Sequence, residues 1–118
     1  MPLSAPKVVV VARDGGAGGA QAVAVALALP LGGCEVALVL EGPARELALS
    51  GAVPGGGRAG GAGEQMAALL EDDGVEVAVR ADLAADADLV SRLRPGVLVW
   101  SQQVVEERCR AARHWLVI

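Results

Sequence analysis

The residues best placed to do chemistry fall in one short stretch, Asp14-Gly15-Gly16-Ala17-Gly18-Gly19. Glycines let backbone N–H groups close on an anion, and a helix that starts there adds the positive end of its dipole. Phosphate or diphosphate is the natural guest of such a turn, which makes Gly15, Gly16, Gly18 and Gly19 candidate ligand-binding residues. Asp14 is the candidate catalytic group. Its carboxylate can accept a hydrogen bond from a sugar hydroxyl, or take a proton if its pKa is raised. The plain structural alternative gives the glycines only a tight strand-to-helix turn, and gives Asp14 a turn-stabilising hydrogen bond.

Neither common phosphate fingerprint is complete. Begun at Gly16 and Gly18, the dinucleotide pattern GxGxxG meets Gln21 where its third glycine or alanine belongs. No Gly-Lys-Ser/Thr follows, so a Walker-type ATPase is excluded. Two more polar residues stand at strand ends. Glu41 closes the second strand, where a dinucleotide-binding domain places its ribose acid. Ser101 follows the fourth strand at the same edge and is a candidate ligand contact, although a helix N-cap accounts for it fully. Trp100 either walls the crevice or simply packs. The single histidine, His114, has no partner acid in a recognisable motif and reads as structural. Cys34 and Cys109 lie far apart with no CxxC spacing, so neither a disulfide framework nor a zinc site is indicated. No cofactor is called for.

These residues need a scaffold, and the chain alternates strand and helix throughout. Lys7 to Ala12 is a continuous β-branched run, the mark of a strand buried on both faces of a parallel sheet. After the turn at 14–19, Ala20 to Leu29 is alanine-rich and predicts a helix ending at Pro30. Glu35 to Leu40 is the second strand, and Gly42-Pro43 opens a short helix through Ser50 with proline at the favoured first position. The glycine-rich stretch 51–63 carries no periodicity and reads as a surface loop. A helix over 64–73 capped by Gly74, a strand over 75–79, a helix over 82–93 and a strand over 97–100 follow. The last helix spans 102–113, with Glu106 and Arg110 at ion-pair spacing, and the fifth strand is Trp115 to Ile118. The expected architecture is one α/β domain over residues 1–118, a three-layer Rossmann-like sandwich whose five parallel strands lie in the order 3-2-1-4-5. Ligands of such sheets bind beyond the carboxyl ends of the strands, where strand order reverses, which points at 14–19.

Composition bounds the function classes. With 118 residues the chain can bury one core. The longest apolar run, Ala22 to Leu31, is too short to span a bilayer and ends at Pro30-Leu31-Gly32-Gly33. Nothing in the first residues marks the chain for export, so the expected location is the cytoplasm. A net charge of -4, arginines scattered among acids, and the lack of Phe and Tyr argue against nucleic acid as a partner.

The strings VVVVARDGGAGGAQAVAVALAL, GCEVALVLEGPARELA and PGVLVWSQQVVEERCRAAR together resemble the amino-terminal domain of GT-B glycosyltransferase-like proteins over most of the chain. The turn is similar to the Arg-Asp-x-Gly-Gly-Ala type of polysaccharide-biosynthesis members, through Arg13, Asp14, Gly16 and Ala17, and more distantly to the Gly-Gly-x-Gly-Gly turn of MurG-like transferases, through Gly15, Gly16, Gly18 and Gly19. MurG-like proteins carry a histidine directly after the glycines where this chain has Ala20, so that residue's role does not carry over. The resemblance implies an acceptor-binding lobe that holds a phosphorylated or glycosyl ligand, with the nucleotide-sugar donor bound by another chain or domain. The alternative is a non-catalytic nucleotide- or anion-binding or assembly module that reuses the fold. An NAD-linked oxidoreductase ranks last because it depends on the incomplete fingerprint.

An apolar content of 53% against 20% charged residues also predicts a homo-oligomer or a second-lobe protein partner, seated around Trp100, Ser101 and the 51–63 loop.

Overall fold

Why the centre of this sheet forms is visible in its side chains. Strands β1 (Val8–Ala12), VVVVA, and β2 (Val36–Leu40), VALVL, are buried along their whole length. β-Branched residues suit a pleated surface covered on both faces. Around them a computed structural model describes residues 8–13, 17–28, 35–49, 62–71 and 74–118. Helix α1 (Ala17–Ala28) follows β1, a 3-10 helix (Gly42–Ala48) follows β2, and α2 (Ala62–Glu71) leads to β3 (Val75–Arg80). Helix α3 (Ala87–Ser91), strand β4 (Leu98–Trp100), helix α4 (Gln102–Ala111) and strand β5 (His114–Val117) complete the order.

All the strand pairs are parallel, and helices lie on both faces, so the chain is an α/β sandwich of Rossmann-like type. The strand order is β4-β3-β2-β1-β5. The expected run 3-2-1 is present, but the fourth strand adds beyond β3 instead of between β1 and β5. Right-handed crossovers explain the layers that result. Four strands step in one direction from β1 to β4, so their connections cover one face, where α1, the 3-10 helix and α2 bury Ala22, Ala44 and Met66 against Val10, Leu38 and Val79. The chain then reverses. Helix α4 crosses the opposite face, burying Val105 with Trp100 against Val9, Val11, Val39 and Ala78, and delivers β5 beside β1.

Local chemistry moves several boundaries. Helix α1 starts at Ala17, so Gly18 and Gly19 belong to its first turn. The element after β2 is a 3-10 helix with Pro43 in its first turn, entered through Gly42 at φ +53°, a conformation that side chains disfavour. The helix expected over 82–93 is confined to 87–91, because Asp82 side-chain oxygen accepts from the N–H groups of Ala84 and Ala85 at 2.8 and 3.2 Å and holds a turn. Asp86 reaches back to accept from the Asp82 N–H at 2.9 Å. That bond, followed by the Arg45 guanidinium 3.5 Å away, holds the Asp86 carboxyl below its ordinary value. On α4, Glu106 accepts from Gln102 at 3.2 Å instead of pairing with Arg110. The loop expected at 51–63 lies outside the described residues except for its last two, which open α2.

Candidate functional site

A groove with a volume of about 500 Å³ opens on the α4 face of the sheet, between that helix and the carboxyl ends of β1 and β5. Its position follows from topology. Strand order reverses between β1 and β5, and open α/β sheets leave a crevice at such a point. The floor is Val11, Trp115 and Val117, and the α4 wall carries Gln102, Val105, Glu106, Cys109 and Arg110. Register places the floor: Trp115 pairs with Val9 and Val117 with Val11, so both share the face that α4 only partly covers.

At the open end, Arg13 and Glu41 leave adjacent strands side by side. Their side chains stand 3.6 Å apart, with Arg13 65% exposed and Glu41 17%. The pairing leaves most of the guanidinium available to an incoming anion, and Arg110 supplies a second cation on the wall. Trp115, 57% exposed, offers an indole face to a ring or a sugar's C–H surface. The Cys109 thiol is pushed up in pKa by burial and, secondarily, by the Glu41 carboxylate, so it rests protonated as part of the wall. Chemically, the arrangement can hold a small molecule with an apolar or planar part and an anionic part.

The expected site residues divide into three groups. Asp14, Gly15 and Gly16 lie outside the described residues, immediately after Arg13. Gly18 and Gly19 lie in the first turn of α1. Glu41 lines the groove, whereas Ser101 does not. Because β4 is at the far edge of the sheet, Ser101 lines a separate depression of about 410 Å³ with Arg80, Ala81 and Asp82. Gln102 borders both. Ser101 caps α4, accepting from the Val104 N–H at 3.3 Å, as its capping alternative predicts. Trp100 is 6% exposed and has Arg108 over its ring at 5.1 Å, so it packs and walls nothing. His114 lies exposed at the start of β5, away from the groove lining.

Sequence reasoning missed Trp115, Val117 and Arg110 as groove residues. A signal was present. Trp115 and Val117 stand two apart in a strand, on one face, but only the strand order shows that the face is uncovered. Among the described residues no cluster of His, Cys, Asp and Glu is arranged to hold a metal ion, and no helix is long and apolar enough to cross a membrane.

The chain matches no protein-family model and no curated protein sequence. Among solved structures it is similar to the ychN protein from E. coli, with a TM-score of 0.80 at 20% identity over 96% of this chain and 99% of that one. At that identity the likeness shows the fold alone.

Proposed function

We propose that this chain is a cytoplasmic ligand-binding lobe that holds a phosphorylated or glycosyl small molecule in the groove between α4, β1 and β5. The observation that carries the reading is the groove's place at the strand-order reversal, directly after β1, with Arg13 at its mouth and Trp115 on its floor. Indole stacking would select a ring or sugar, and Arg13 with Arg110 would select the anionic group. Gly15 and Gly16, which follow Arg13 and Asp14 in the sequence, are the candidate further contacts to the anion. In the GT-B-like form of this reading the bound molecule is the acceptor, the donor lobe comes from another chain or domain, and Asp14 is the candidate base.

Calorimetric titration with sugar phosphates, nucleotide-sugars and inorganic phosphate tests the proposal. Wild type should bind at least one ring-bearing phosphorylated ligand, and Arg13→Ala and Trp115→Ala should each weaken it by about tenfold, the cost of one good contact. Equal binding by all three proteins would place the ligand elsewhere.

The second reading, an assembly module, is favoured by a separate observation: Trp115, Leu116 and Val117 are all substantially exposed on one edge strand. The partner is a second copy or a second lobe, and the surface is the β5 side, since Trp100 is buried.

A further inference from the structure

Strand β5 is the edge beyond β1, and no described strand lies outside it. Native sheets guard such edges with lysine, proline, bulges or very short strands. The opposite edge, β4, is three residues long. Strand β5, His114-Trp115-Leu116-Val117, is one residue longer, keeps unbroken register with β1 and carries no proline or lysine. Its hydrogen-bonding parity is fixed by its neighbour. The Ile118 N–H donates to the Val11 carbonyl at 2.9 Å, and the Ile118 carbonyl accepts from the Arg13 N–H at 3.3 Å. In a parallel ladder the backbone groups of successive residues point to alternate sides. Leu116 therefore faces β1 with Ile118, and the N–H and C=O of Trp115 and Val117 point outward.

We propose that β5 pairs antiparallel with β5 of a second copy about a two-fold axis at Leu116, joining two sheets into one. This rests on the assembly reading above and commits it to one surface and one partner. An axis at Leu116 sets Trp115 opposite Val117 of the second copy. These are the residues with outward backbone groups, so each of the two symmetry-related pairs exchanges both its N–H···O bonds. Their side chains share the α4 face and form an aromatic to β-branched cross-strand pair, while Leu116 meets its own symmetry mate on the other face. Charge agrees. The wall of α4 that faces β5 runs from Glu106 to Arg110, and the axis reverses its direction, so Glu106 of one copy stands across the joined groove from Arg110 of the other. The floor of that joined groove then carries Trp115 and Val117 from both copies.

Sedimentation equilibrium and directed cross-linking test the pairing. Wild type at tens of micromolar should show twice the chain mass. Val117→Pro removes an outward N–H without touching the β1 ladder, and should raise the dimer dissociation constant by about tenfold or more with unchanged circular dichroism. In a Cys34→Ser, Cys109→Ser background, Leu116→Cys should form a disulfide-linked dimer under diamide. At a non-hydrogen-bonded antiparallel pair the Cα atoms stand about 4.5 Å apart, within disulfide reach. Trp115→Cys in the same background should cross-link about tenfold more slowly, since its neighbour across the axis is Val117. A monomeric wild type overturns both the pairing and the assembly reading. A wild-type dimer that Val117→Pro leaves intact and Leu116→Cys fails to cross-link overturns this edge while the assembly reading stands.

Discussion

Strands β2 and β5 are both short apolar runs in one parallel sheet, yet every residue of β2 is buried and every residue of β5 is exposed. Apart from His114, the residues of His114-Trp115-Leu116-Val117 are as apolar as those of Val36-Ala37-Leu38-Val39-Leu40. Position separates them. Strand β2 has a strand on each side and helices over both faces, whereas β5 has β1 on one side and only the margin of α4 above it. The same kind of side chain therefore serves stability in one place and leaves a binding surface in the other.

The difference can be broken most directly at Leu38, which is fully buried. Leu38→Ala should cost about 2–5 kcal/mol in denaturant unfolding, through lost transfer energy and the cavity left behind. Gly42→Ala comes next, at about 1–2 kcal/mol, because φ +53° strains any residue with a Cβ. Ser101→Ala should cost about 1 kcal/mol by removing the α4 cap, with no loss of ligand affinity if the groove is the site. Trp115→Ala should change monomer stability by less than about 0.5 kcal/mol, measured at concentrations too low for association. A cost near that of Leu38→Ala would mean that β5 is structural after all. The smallest effect is at Asp86, whose depressed pKa contributes stability above the ordinary aspartate value and loses it as pH falls through the folded value. Acid unfolding of Asp86→Asn should therefore show a slightly flatter pH dependence over that range than wild type.

Much of the scaffold was legible in residue order. The β-branched run Lys7 to Ala12 and the apolar run Glu35 to Leu40 marked the two central strands to within a residue, and Gly74, Pro95-Gly96 and Ser101 punctuated the later elements where the structure has them. Strand neighbours were not legible. Alternation and right-handedness leave open which flank a strand joins, and β4 beside β3 obeys the same rules as β4 beside β1. That ambiguity carried into the site, placing Ser101 beside the end of β1 when two strands, β3 and β2, lie between β4 and β1. It also hid the groove, whose floor depends on β5 lying directly against β1. Side-chain competition decided the remaining differences: Asp82 and Asp86 bond to the backbone and shorten a helix that apolar spacing alone extends to Leu93.

The most direct test of the groove reads Trp115 itself. In a Trp100→Phe variant, Trp115 is the sole indole, and its fluorescence can be followed while sugar phosphates and nucleotide-sugars are titrated in. The account predicts a saturable change in emission for at least one phosphorylated, ring-bearing ligand, weakened about tenfold by Arg13→Ala. Saturable binding detected by calorimetry with no change in Trp115 emission would contradict it, because the ligand would then sit away from the β1–β5 crevice.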